Sequence, residues 1–260
     1  MAAITRWVRF ELQGQAAFGT LDGTTVTPHE GDMFGTTRAT GQTLALSGLK
    51  LLAPVRPGKV LALWNNYMAL AAKLGLADPA EPLYFMKAPS SLLYPGDAIV
   101  APKGQGKIVF EGELAIVIGR RAKAVSEADA LQHVFGYTCC NDVTAAEVLN
   151  RDASFAQWVR AKSFDTFCPL GPCIATGLDP ATLSVKTWLD GQLRQDYPLA
   201  DIRFSVPRLV SLISHDMTLE PGDLILCGTS VGVGSMKPGQ TVEVEIEGIG
   251  KLTNRFETAD

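Results

Sequence analysis

The chain has 260 residues, 47% of them hydrophobic, with a net charge of −4 and acidic and basic residues interleaved. That is enough apolar side chain for a full core in one large domain, or a large one with a small companion, while the absence of any basic run argues against nucleic acid and anionic membrane surfaces as partners. No apolar run approaches the roughly 18 to 20 residues of a membrane span, and Met1-Ala-Ala-Ile-Thr-Arg-Trp7 lacks a secretory h-region, so the expected location is cytoplasmic.

In chain order, residues 1–55 read as a small β-rich N-terminal domain, in which Gly14, Gly19, Gly23, Gly31 and Gly35 punctuate β-branched pieces such as Thr24-Thr-Val-Thr27. Ala53-Pro-Val-Arg-Pro-Gly58 reads as a linker into a second domain, 56–260, that opens with a strand over Lys59–Trp64. A short helix is predicted over Met68–Leu74, ended by Gly75. Leu83–Lys87 reads as a strand, and the turn Tyr94-Pro-Gly-Asp97 feeds another at Ala98–Val100.

The segment Lys107-Ile-Val-Phe-Glu-Gly-Glu-Leu-Ala-Ile-Val-Ile-Gly119 carries the strongest signal. With a period of two, it places Ile108, Phe110, Leu114, Ile116 and Ile118 on one face, and Val109, Glu111, Glu113, Ala115 and Val117 on the other. A strand apolar on both faces belongs inside a protein, where two neighbouring carboxylates cost several kcal/mol each unless a cation neutralises them. Two readings stand side by side here: a metal site, or an edge strand whose first half is wet.

Beyond it, Ser126-Glu-Ala-Asp129 offers an N-cap and predicts a helix to about Phe135, closed by Gly136. Gly136–Cys140 reads as a strand delivering Asn141 and Asp142 at its end. A helix over Pro207–Met217 presents Leu209, Val210, Leu212 and Ile213 as a packing stripe. Leu224–Thr229 follows as a strand, and Thr241-Val-Glu-Val-Glu-Ile-Glu247 alternates strictly, as a strand with one solvated acidic face. The pattern as a whole predicts a mainly β fold with few helices, an α+β arrangement. Cys139, Cys140, Cys168, Cys173 and Cys227 are odd in number and lack CxxC spacing, which speaks against both a disulfide framework and a zinc site.

Four stretches resemble the fumarylacetoacetate hydrolase family: Phe110–Gly119, Gly136–Thr144, Ala161-Lys-Ser-Phe-Asp-Thr-Phe-Cys-Pro-Leu-Gly171 and Gly228-Thr-Ser-Val-Gly-Val-Gly234. They occur in the family's order over roughly residues 57–256. The resemblance implies the family's mixed β-roll with peripheral helices, a small N-terminal domain and a homodimer. It also implies that Glu111, Glu113 and Asp142 hold Mg²⁺ or Mn²⁺. Three carboxylates without histidine or thiolate form a hard oxygen site, which accepts Ca²⁺ as well but does not suit zinc. Lys162 matches a lysine beside the metal, implied to move a proton or to stabilise a developing enolate, with a pKa lowered by dication and burial. Without the motif, a Lys162–Asp165 ion pair is the simpler reading. Gly228 and Thr229 match a loop that binds the substrate carboxylate, and Tyr67 and Lys87 line up with substrate-side segments. Gln157, Trp158 and Arg160 lie just before Lys162, and any of them could face the pocket.

The sequence departs from the family's pattern at two places: a basic residue shortly after the metal aspartate is missing, with Ala146 there and Glu147 next, and so is a pair found in hydrolytic members. Where these carry a water-activating histidine and glutamate on the helix after the Asn-Tyr pair, this chain has Leu70 and Lys73. In that respect it resembles the branch that isomerises and decarboxylates the diacids of homoprotocatechuate breakdown. The implied function is a metal-dependent enzyme that acts on a 2-oxo or 2-hydroxy-dienoic diacid through a metal-bound enolate. The alternatives are C–C hydrolysis of acylpyruvates or fumarylpyruvate, decarboxylation of oxaloacetate, and non-catalytic binding of metal and oxo acid.

Overall fold

The computed structural model describes residues 3–259. Strand accounts for 43% of the chain and helix for 17%, as the alternating pattern predicts. The largest sheet runs, from edge to edge, through 37–39, 25–31, 15–22, 5–12, 168–176, 134–141, 112–118, 224–226, 60–64 and 83–87. Gly112–Ile118 is buried at every position because both its faces are covered. Leu114, Ile116 and Ile118 join the main core with Leu209, Val210 and Ile213 of the helix Val206–Asp216. Ala115 and Val117 face the opposite way, with Val60, Ala62, Leu224 and Leu226.

One expectation fails at the glutamates. The predicted single strand is two, Ile108–Phe110 and Gly112–Ile118, in different sheets. At the corner, the Glu111 N–H is taken by the Asn141 side-chain oxygen at 2.9 Å, and its carbonyl accepts the Asp142 N–H at 2.8 Å. The side-chain bond diverts the ladder there. Ile108 and Phe110 continue into a separate core with Ile99, Phe167 and Phe256.

The predicted helix over 126–135 is also corrected. Only Ala130–His133 forms a 3₁₀ turn, and a strand already begins at Val134. The local cap exists, since Ser126 Oγ accepts the Asp129 N–H at 3.2 Å. However, the His133 carbonyl is claimed by the N–H groups of Gly119 (2.8 Å) and Arg120 (3.2 Å). Tertiary pairing thus overrides a helix too short to hold its own.

The N-terminal strands continue the large sheet, because Thr5–Leu12 pairs antiparallel with Cys168–Thr176 and sends Val8 and Phe10 into the main core. The helix Met68–Leu74 has its predicted bounds, and Gly75, at φ 65°, caps it with an N–H shared between the Ala71 and Ala72 carbonyls. On the helix Val206–Asp216, Leu212 is the one residue of the expected stripe that stays exposed. All five cysteines are free and buried. Among the described residues no helix is long and apolar enough to cross a membrane.

Candidate functional site

Four segments meet where the large sheet turns into the smaller ones. The corner 111–113 supplies Glu111 and Glu113, the end of the strand Val134–Asn141 supplies Asp142, and Gly112 pairs with Asn141 in the ladder between them. The helix Trp158–Lys162 and the strand Leu83–Lys87 each end in a lysine aimed at the same point. Oxygens of Glu111, Glu113 and Asp142 lie within 4.8 Å of one another. Glu113 and Asp142 are buried, whereas the Glu111 side chain keeps 16% of its surface exposed. The cluster therefore opens toward solvent on the Glu111 side.

Lys162 Nζ donates to Glu111 Oε2 at 2.8 Å and to Asp142 Oδ2 at 2.6 Å, so its partners are the cluster and not Asp165. Lys87 is fully buried, and its ammonium points at Asp142 Oδ1 (2.6 Å), at the Lys162 carbonyl and, at 3.5 Å, at the Val143 carbonyl. It lies beneath the carboxylates, with its protons directed at protein acceptors. Thr144 Oγ1 donates to Glu111 Oε1 at 2.8 Å. The Gly228 N–H donates to Glu113 Oε2 at 2.8 Å, and the other oxygen, Glu113 Oε1, is buried with no partner.

The charges follow from this geometry. Burial, and then the neighbouring Asp142 and Glu111, push the Glu113 carboxyl well above the usual carboxylate range. Burial also raises Glu111, against the pull of Lys162. Burial would raise Asp142 too, but Lys162 and Lys87 outweigh it and hold that carboxyl low. Desolvation would lower Lys162, yet Asp142 and Glu111 overcome it and hold the ammonium above its ordinary value. The lowered lysine expected from sequence is thus not what the carboxylates alone produce.

Thr229 sits at the half-open rim. Its hydroxyl donates to the Gly112 carbonyl at 3.0 Å and accepts the Gln195 Nε2–H at 2.8 Å. Tyr67 is buried against Tyr197, ring centroids 4.8 Å apart at 76°, and its hydroxyl has no partner. Trp158 stacks on Phe85 at 5.1 Å and meets Trp64 at 5.2 Å, and Phe85 in turn lies 5.3 Å from Lys162 Nζ. Gln157 is half-buried and Arg160 exposed. Leu70 packs against the main core and Lys73 is exposed.

Asn141, Thr144, Gln195 and Tyr197 escape a reading of the sequence. Asn141 and Thr144 flank Asp142, and adjacency was their only signal. Gln195 and Tyr197 lie more than 80 residues from the corner they touch and carry no signal at all.

The chemistry of the donors fits a hard divalent cation. The cluster is all oxygen, three carboxylates face only two ammonium groups, and one buried carboxylate oxygen lacks any donor.

The family model described as fumarylacetoacetate (FAA) hydrolase C-terminal matches residues 59–257, and one described as Rv2993c-like, N-terminal, matches 5–54. The crystal structure of 2-hydroxyhepta-2,4-diene-1,7-dioate isomerase from Mycobacterium marinum superposes with a TM-score of 0.90 at 39% identity, covering 98% of each chain. The maleylpyruvate hydrolase of Sphingobium sp. SYK-6, solved in complex with manganese(II) ion and pyruvate, gives 0.81 at 28% identity, over 98% of this chain and 100% of that one. The 4-hydroxyphenylacetate degradation bifunctional isomerase/decarboxylase of Salmonella dublin is 40% identical over 202 residues, 76% of this chain but 47% of that longer enzyme.

Proposed function

As the chain belongs to the fumarylacetoacetate hydrolase family, we propose that it is a divalent-metal-dependent enzyme that isomerises or decarboxylates a 2-oxo or 2-hydroxy-dienoic dicarboxylic acid. The observation that carries this reading is the buried, unpartnered Glu113 oxygen in a cluster of three carboxylates braced by Lys162. Glu111, Glu113 and Asp142 would hold Mg²⁺ or Mn²⁺, and the ion, when bound, supplies Lewis-acid polarisation to a chelating 2-oxo acid.

The chain's own residues do the rest. Lys162 holds a proton at Nζ between Glu111 and Asp142 and would exchange it with the carbon beside the oxo group. Lys87 offsets the Asp142 charge from below, and Thr144 and Asn141 fix the orientation of Glu111 and its peptide. Thr229, at the rim, binds the substrate carboxylate. Leu70 cannot take a proton and Lys73 faces solvent, so the helix Met68–Leu74 offers no base to activate water. That favours reactions in which no water attacks. The likeness to the Mycobacterium marinum isomerase along the whole chain points the same way.

The test supplies purified protein and Mg²⁺ with an acylpyruvate or a 2-hydroxy-2,4-dienedioate, followed by ultraviolet absorbance. A change in the dienedioate spectrum that chelator abolishes is expected. Rapid loss of acylpyruvate with the dienedioate untouched would replace this reading with C–C hydrolysis, which the maleylpyruvate hydrolase likeness supports.

A further inference from the structure

The peptide that joins the two glutamates is held from both sides. Gln195 Oε1 accepts the Gly112 N–H at 3.0 Å, while the Gly112 carbonyl accepts two hydroxyl donors, Thr229 at 3.0 Å and Tyr197. Gly112 has no room for a side chain, since a Cβ there would lie 2.0 Å from Thr187 Oγ1. Gln195 Nε2 donates to Thr229 Oγ1 at 2.8 Å and to the Ser230 carbonyl at 3.2 Å. Thr229 Oγ1 therefore already accepts one hydrogen bond, and its single proton must choose between the Gly112 carbonyl and a ligand at the rim. Tyr197 and Gln195 are both buried, and Tyr197 Oη lies 3.5 Å from Thr229 Oγ1.

We propose that Tyr197 is a positioning residue for carboxylate binding: it keeps the buried Gly112 carbonyl hydrogen-bonded while Thr229 transfers its proton's hydrogen bond to an incoming carboxylate. Without Tyr197, a ligand that recruits the Thr229 hydroxyl strands a buried carbonyl, and that penalty is subtracted from its binding. Gln195 keeps the oxygen of Thr229 in place throughout, so the proton, and not the side chain, changes partner. The proposal rests on the reading of Thr229 as the carboxylate-binding residue.

Isothermal titration separates the two. Mg²⁺ alone, then oxalate in saturating Mg²⁺, are titrated into wild type, Tyr197→Phe, Thr229→Val, Thr229→Ser and the double variant Tyr197→Phe/Thr229→Val. The expected result for Tyr197→Phe is Mg²⁺ affinity within about twofold of wild type and oxalate affinity lower by roughly ten- to a hundredfold, the cost of an unsatisfied buried carbonyl. Thr229→Ser, which keeps the hydroxyl, retains oxalate binding close to that of wild type. In the Thr229→Val background the Tyr197→Phe change has no further effect on oxalate, because no proton remains to transfer. Equal oxalate affinity for wild type and Tyr197→Phe, or full additivity in the double variant, overturns the transfer and leaves the functional reading intact. Wild type that binds oxalate with Thr229→Val unaffected removes Thr229 from the site and the proposal with it, and wild type that binds neither Mg²⁺ nor oxalate overturns both.

Discussion

Two Glu-x-Glu segments, Glu111–Glu113 and Glu243–Glu245, have opposite fates. Glu111 and Glu113 flank a corner where the sheet changes direction, enclosed by the helix Trp158–Lys162, the strand end at Asp142 and the loop at Gly228. Glu243 and Glu245 lie on an uninterrupted strand, Thr241–Ile246, paired on both sides, with their carboxylates at the surface beside Lys251 at 3.6 and 3.7 Å. Spacing is the same in both. The difference is the supply of water and of fixed donors. At the surface, water solvates the carboxylates and the lysine contributes little. At the corner, two buried lysines, the Thr144 hydroxyl and one peptide N–H leave a carboxylate oxygen unmet, and that deficit would suit one pair, and not the other, to a cation.

The largest effect expected from this contrast is on ion affinity. Asp142→Ala or Glu113→Gln should weaken Mg²⁺ binding in calorimetry by roughly a hundredfold or more, since each removes an anionic oxygen from a three-carboxylate set. Glu243→Gln and Glu245→Gln should leave it unchanged. Ion affinity that survives Asp142→Ala would dissolve the distinction between the two pairs.

Next in size is the role of Lys162. Replacing it with methionine leaves Glu111 and Asp142 with less compensation in a buried place, and chemical denaturation of the ion-free protein should show a loss of about 3–5 kcal/mol. Mg²⁺ should restore most of that stability but not turnover, which should stay lower by roughly 10²–10⁴-fold if Lys162 moves the proton. An ion-free variant as stable as wild type would show that the lysine is no brace.

The pH response should be smaller and of a definite sign. Glu113 and Glu111 have folded-state pKa values above their unfolded ones, so the folded chain binds protons that the unfolded chain releases. Their ionisation therefore costs stability above the folded pKa, and the cost disappears as pH falls through it toward the ordinary carboxylate range. Asp142, held low, adds stability that is lost only below that range. The Tm of the ion-free protein should thus rise as pH falls from 8 toward 5, while the gain in Tm on adding Mg²⁺ shrinks, as protons compete for Glu113. A gain independent of pH would contradict the raised carboxyls. Smallest of all, Lys251→Met should shift stability by less than about 1 kcal/mol, because the pairs it breaks are long, at 3.6 and 3.7 Å, and partly solvated.

Part of this contrast is legible in the sequence. Periodicity alone located a strand within 107–119, the acidic strand within 241–247 and the helix stripe at Leu209, Val210, Leu212 and Ile213, of which only Leu212 stays exposed, because burial on a sheet or helix face is written in a local period. The carboxylates stood out for the same reason, as charges where the pattern demanded apolar side chains. The corner at Glu111 was not visible, since what turns the chain is a bond from Asn141, thirty residues away. The helix over 126–135 failed in the opposite sense: a true local cap was read, and a distant pair of N–H groups from Gly119 and Arg120 cancelled it.

The amino-acid order by itself determined the mainly β class and the helix bounds at Met68–Leu74, whereas Glu111, Glu113, Asp142 and Lys162 were singled out together only by the resemblance of their motifs to a known family. Only the tertiary structure decided that Lys87 lies beneath the carboxylates, that Gly228 points its N–H at Glu113, and that Gln195 and Tyr197 grip the peptide between the glutamates. The reason is physical: periodicity reports which side of an element meets water, whereas a hydrogen bond between residues far apart in the chain exists only once the sheet has set their distance.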